Sequence, residues 1–141
     1  MIAYLDTSAL IPLVIEESSS EACHTLWHLA DDVTSSHLTW VEASAALAAA
    51  HRAGRLTDAA HDRARRALGV YWSDISVLAV DEHVIDTAAH LTRSHALRGY
   101  GAVHCATAAY ATSNDMVAAA GDRRLLDAWA SVGLQTVDIN Q

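Results

Sequence analysis

Five short strand-like runs punctuate a chain that is otherwise helical in composition, and few folds tolerate that rhythm. The runs cover 2–5, 33–35, 75–80, 116–120 and 134–137. The first, Ile2-Ala3-Tyr4-Leu5, is too brief for a helix and uniformly apolar, as a strand covered on both faces is. Helices are predicted over 8–16, 20–30, 39–52, 57–72, 82–97, 102–111 and 122–132. Thr57 opens the fourth, Gly54 closes the third, and Pro12 lies near enough to the start of the first that its missing N–H costs little. The order β-α-α-β-α-α-β-α-α-β-α-β predicts an α/β fold in three layers, α/β/α, around a central parallel sheet of about five strands. At 141 residues the chain makes a single domain, 1–141.

Hydrophobic residues are 52% of the chain and no Gly-, Ser- or Pro-rich run interrupts them, which excludes a linker or a disordered segment. No apolar run reaches membrane-spanning length and the N-terminus lacks a signal peptide's basic region. A cytoplasmic protein with no membrane partner is expected. Cys23 and Cys105 are far apart in apolar helical stretches and read as free buried thiols. The net charge of -8 excludes a protein that coats nucleic acid through a broad positive field, though not a nuclease. All nine basic residues are arginines. Mechanisms that need a catalytic lysine, such as those of receiver domains and aspartyl phosphatases, are therefore excluded, and planar guanidiniums are the only fixed cations.

Three acids fall where such a sheet gathers its ligands. Asp6 follows the first strand directly. An unpaired buried charge is expensive, so packing explains it poorly, and in open α/β sheets ligands bind just past the strands' carboxyl ends. Glu42 falls in the first turn of the helix predicted over 39–52, where the dipole favours an anion. Asp122 lies two residues past the run 116–120. Singly, each has a plain structural reading: Asp6 and Asp122 as N-caps, Glu42 as a first-turn helix charge. Together they point to one crevice, and clustered carboxylates are what a hard divalent cation such as Mg²⁺ or Mn²⁺ requires. Thr7 and Ser8 are placed to cap the first helix.

Four blocks occur in order: Y-L-D-T-S-A-L from Tyr4, T-W-V-E-A-S-A-A-L from Thr39, R-G-Y-G-A-V-H-C-A-T-A from Arg98 and A-A-A-G-D-R-R-L from Ala118. Through them essentially the whole chain resembles the PIN-domain ribonucleases, specifically the VapC-type toxins of type II toxin-antitoxin pairs. The resemblance implies a Mg²⁺-dependent endoribonuclease, with Mn²⁺ as the other candidate cation, that hydrolyses RNA phosphodiester bonds. It assigns catalytic roles to Asp6, Glu42 and Asp122. Asp6 and Asp122 would hold the metal, and Glu42 would contact the metal or its water or act as base. Thr7 and Ser8 would support the site by bonding the first carboxylate or a metal-bound water.

The family's remaining metal ligand is an aspartate opening the sixth helix, in a block of the form R-x-Y-D-A-x-H. Here that position is Gly101, while Tyr100, Ala102, Val103 and His104 keep the register. Read as an N-cap, glycine leaves the helix intact and removes a charge. Metal affinity should then fall and metal-free stability rise. The implied function is an endoribonuclease toxin impaired at Gly101, and the alternative is a non-catalytic PIN-fold binding module that retains the antitoxin interface. Implied partners are a cognate VapB-type antitoxin, laying a helix or extended tail over the toxin, an RNA substrate and a second copy in a homodimer. Arg98, Arg123 and Arg124 are candidate phosphate contacts, with solvated surface charge as the alternative; Arg52, Arg55, Arg63, Arg65 and Arg66 read as a solvated face or part of an RNA track. Leu10, Ile11, Leu13, Val14 and Ile15 give the first helix an apolar surplus, which suits a groove, a dimer face or core packing.

Other signals carry less. Gly99 to His104 begins like a dinucleotide fingerprint but follows a helix and places His104 at the third glycine. His24 and His28 are four apart on a helix with no evident third ligand. His104 is expected to pack or to bond nearby backbone, and Trp27, Trp40, Trp72 and Trp129 to serve core or groove.

Overall fold

A strand covered on both faces needs a helical layer on each side, and the chain supplies them by alternation. The computed structural model describes residues 1–141. Strands β1 (Ile2–Leu5), β2 (Asp32–Ser36), β3 (Ser76–Leu78), β4 (Met116–Ala120) and β5 (Gln135–Asp138) form one parallel sheet in the order β3-β2-β1-β4-β5. The helices are α1 (Thr7–Leu10), α2 (Ser20–Leu29), α3 (Leu38–Arg52), α4 (Asp58–Ser73), α5 (Glu82–Ser94), α6 (Gly99–Ala111) and α7 (Arg123–Ser131). The chain winds outward from β1 to β3, then returns to the other side of β1 to add β4 and β5. The reversal makes the carboxyl ends of β1 and β4 the topological switch point.

Strand alternation divides the core. Ala3 and Leu5 pack with Leu10 of α1, Cys23 of α2, Leu47 of α3 and Leu68 of α4. Tyr4, between them, faces the other way, toward Leu91 of α5, Val103 of α6 and Trp129 of α7. Ala118, Ala119 and Ala120 of β4 are fully buried, and their small side chains let both helical layers approach the sheet. Tyr4 and Trp129 meet edge to face, ring centroids 5.7 Å apart at 79°, a favoured aromatic arrangement.

Local chemistry moves several expected boundaries. Pro12 has no N–H to give the Ser8 carbonyl, so α1 stops at Leu10 and Ile11–Leu13 form a 3-10 turn, where a helix to residue 16 was expected. Asp6 caps α1, rather than Thr7 or Ser8. Helix α6 starts at Gly99 with Arg98 at its N-cap, so Gly101 is the third residue of the helix and not its cap. The third strand shortens to three residues. Gly54, just past α3, has φ +75°, the left-handed conformation a helix-closing glycine supplies. The apolar surplus of the first helix goes largely inward: Leu10, Ile11 and Leu13 are buried and Val14 and Ile15 pack against the same core. Trp129 is buried, whereas Trp40 and Trp72 lie against one another at 5.4 Å with Trp40 exposed, and Trp27 meets Tyr71 edge-on. His28 Nδ1 donates to the His24 carbonyl at 2.7 Å, which ties the pair to the helix backbone.

No helix is long and apolar enough to cross a membrane. Cys23 and Cys105 are buried and unpaired, and burial pushes both thiols up to about 11. A thiol in that state holds almost no reactive thiolate at neutral pH. Alkylation with iodoacetamide is expected to label neither cysteine at pH 7.5 in the folded protein and both in denaturant, as read by intact mass.

Candidate active site

The end of β1 forms the floor of the site. Asp6 is extended (φ -78°, ψ 178°), and its Oδ1 accepts from Ala9 N at 3.1 Å and from Ser8 Oγ at 2.6 Å. Ser8 Oγ in turn accepts from Gly121 N at 2.8 Å. One hydroxyl thereby joins the carboxylate after β1 to the backbone after β4, one residue before Asp122. Asp6 is 7% exposed. Burial raises its pKa, and the proximity of His104 with the bonds from Ser8 and Ala9 only partly opposes that. Ser8→Ala would leave Gly121 N without its partner and Asp6 without its shortest bond. An expected loss of about 1–3 kcal/mol would show in urea unfolding.

Glu42 is the fifth residue of α3, not in its first turn as expected, so the helix dipole is not what holds it. Its Oε1 accepts from Thr7 Oγ1 at 2.9 Å and lies 2.6 Å from His104 Nε2. Burial works to raise the Glu42 pKa, but the His104 contact and the Thr7 bond outweigh it and hold the carboxyl below its usual range. Asp122 is exposed at the N-cap of α7, where Oδ1 accepts from Arg124 N at 2.9 Å. In all three acids one oxygen takes every protein hydrogen bond and the other is left free.

These acids line one cleft of about 960 Å³ together with Thr7, Gly101 and His104. Arg98, Arg123 and Arg124 line it as well. Arg123 is committed to Asp138 at 2.6 Å, whereas Arg98 and Arg124 carry no ion pair. A Cβ on Gly101 would meet nothing within 4 Å, so that position is open space. No three His, Cys, Asp or Glu side chains converge closely enough to enclose a metal ion by themselves.

Every residue picked out as a candidate site residue therefore borders the cleft, apart from Ser8, which acts behind it through Asp6 and Gly121. The sequence reading missed His104 and Tyr4. His104 does not bond nearby backbone: its Nδ1 lies 2.8 Å from the Tyr4 hydroxyl, and its Nε2 engages Glu42. Two signals were available. His104 is one turn after Gly101 and so shares its helix face, and Tyr4 is two residues before Asp6 and so shares its strand face.

The PIN domain family profile matches residues 3–129, nearly the whole of this fold. The chain belongs to the PIN domain family. This PIN domain is 38% identical over 124 residues to Ribonuclease VapC45 of Mycobacterium tuberculosis (strain CDC 1551 / Oshkosh), covering 88% of this chain and 86% of that protein. Its fold is similar to that of PAE2754 from Pyrobaculum aerophilum, with TM-score 0.73 and 24% identity over 99% of this chain and 92% of that one. It is also similar to a chain in a toxin-antitoxin complex from Klebsiella pneumoniae, with TM-score 0.64, 18% identity and 97% of each chain covered. At those two identities the likeness is one of fold.

Proposed function

We propose that this PIN domain is an endoribonuclease toxin of a toxin-antitoxin pair, hydrolysing RNA phosphodiester bonds in the cleft at the ends of β1 and β4, with cation binding weakened at Gly101. The observation that carries the reading is the convergence of Asp6, Glu42 and Asp122 on one cleft at the switch point. The 38% identity to a named ribonuclease supports the substrate class. The fold shared with a chain of a toxin-antitoxin complex supports an antitoxin partner, and a homodimer is the assembly we propose.

The donor set suits Mg²⁺ in kind and in number. All the free donors are carboxylate oxygens, and Mg²⁺ is commonly held by one or two carboxylates with waters and substrate phosphate completing its shell. A buried Asp6 with an unbonded oxygen has the most to gain from a cation. Asp6 and Asp122 would hold it, and bound there it would supply charge neutralisation at the phosphate and acidify a nearby water. The chain's own residues do the rest. Glu42, ionised at neutral pH, offers its free oxygen to the proton of the attacking water. Arg98 and Arg124 are free to bond phosphate oxygens, and Arg123 is restrained by Asp138.

Gly101 and the lack of a three-ligand cluster favour one second reading, a binding module that has lost cleavage. An RNA cleavage assay separates the two. Slow hydrolysis that requires Mg²⁺ or Mn²⁺ and stops with EDTA supports the nuclease. No hydrolysis at millimolar cation, with antitoxin binding intact, supports the module.

A further inference from the structure

We infer that His104 is a positioning residue for Glu42, one end of a buried hydrogen-bonded run, Tyr4–His104–Glu42, that fixes which carboxylate oxygen faces the cleft. The inference rests on the reading of Glu42 as the residue that takes the proton from water.

His104 is 2% exposed, so it cannot reach an RNA phosphate itself. Both its nitrogens are engaged, and by side chains from two other elements: Tyr4 of β1, 100 residues away in sequence, and Glu42 of α3, 62 away. A histidine that only filled space would not join the strand and the two helices that border the cleft.

With a neutral ring the donors and acceptors admit one consistent assignment. Tyr4 is fully buried, and a phenol keeps its proton at neutral pH. Its hydrogen-bonding partner is His104 Nδ1. A buried hydroxyl proton left unpaired is costly, so Tyr4 donates and Nδ1 accepts. The ring proton then sits on Nε2 and is donated to Glu42 Oε1 at 2.6 Å, a charge-assisted bond. Thr7 donates to the same oxygen. Two donors on Oε1 stop the carboxylate from rotating and leave the other oxygen free. Outer partners of this kind orient a reacting group without touching the substrate, and losing one typically lowers activity by about 10–100-fold.

Two measurements test the inference. In the metal-free protein, imidazole ¹⁵N–¹H correlation spectra should show a proton held on His104 Nε2, with its Nε2–H resonance displaced in Glu42→Gln. A proton on Nδ1 alone, or a ring averaging between tautomers, would overturn the assignment. In steady-state RNA cleavage, His104→Leu should lower kcat by about 10–100-fold with KM within about twofold. His104→Gln, whose amide can donate from nearly the same place, should recover most of the loss. Tyr4→Phe, which keeps the ring but frees the tautomer, should fall between them and carries the test if His104→Leu does not fold. Unchanged kcat in folded His104→Leu, or no recovery in His104→Gln, overturns the inference. If the parent chain cleaves no RNA at all, the proposed function fails by itself, and the spectra decide whether His104 holds Glu42.

Discussion

Asp6→Asn is expected to melt above the parent protein in metal-free buffer while its RNA cleavage falls on the order of 10³-fold, the several kcal/mol that a lost cation site is worth. Asparagine caps a helix as well as aspartate does, and its Oδ1 can accept the same bonds from Ser8 Oγ and Ala9 N. What it removes is a buried charge. The Asp6 pKa is raised in the folded state, so the fold binds that proton more tightly than the unfolded chain. Its contribution to stability is fully present below the unfolded value, near 3.8, and is lost as pH rises through the raised folded value. The gain from asparagine should therefore be largest near neutrality, about 1 kcal/mol, and shrink toward acid. Glu42 works in the opposite sense. Its folded pKa is lowered, so it stabilises above about 4.5 and loses that effect as pH falls. Mg²⁺ should raise the melting temperature of the parent and not of the variant, since a ligand stabilises only the state that binds it. A less stable Asp6→Asn, or one that still responds to Mg²⁺, would count against a charge held at a cost for binding a cation.

Gly101→Asp should raise Mg²⁺ affinity by about tenfold or more, an effect of the size added ligand charge gives at such sites, and should increase cleavage with it. The side chain has room, because nothing lies within 4 Å of a Cβ there. Metal-free stability should change by less than about 1 kcal/mol. Replacing a helical glycine and placing an acid in the first turn both help α6, while repulsion from Asp6 and Glu42 opposes them. The informative readout is thus the dependence on cation, by calorimetry and by melting with and without Mg²⁺. If the variant folds but gains no affinity, position 101 does not face the cation and the three-acid reading of the cleft is wrong.

Much of this site could be read from the sequence because strand ends are local features. Asp6 follows a short apolar run directly and Asp122 comes two residues after another, and the fold carries whatever follows β1 and β4 to the same place. Glu42 was legible as an acid near a helix start, but the helix begins earlier than its composition suggests, so its stabilisation comes from Thr7 and His104 and not from the dipole. The start of α6 misled for a related reason. Gly99 and Gly101 lower helix propensity enough to look like a break, yet the buried stretch from Ala102 to Ala108 holds the helix from Gly99 onward. The bonds of His104 had no local signature at all. They join residues 62 and 100 positions apart, and only the sheet order brings these together.

Tyr4 has neighbours on two sides, and that limits how freely the protein can change. Its ring rests against Trp129, an indole sealed in the layer behind the sheet, and its hydroxyl steadies the imidazole beside Glu42. A substitution at Trp129 would never meet RNA, yet it would shift the ring from which that imidazole takes its bearing. Mutational tolerance in this stretch of α7 is therefore governed by turnover as well as by folding. Most changes at Trp129 would fail on stability alone, and those conservative enough to fold would still be sorted by cleavage.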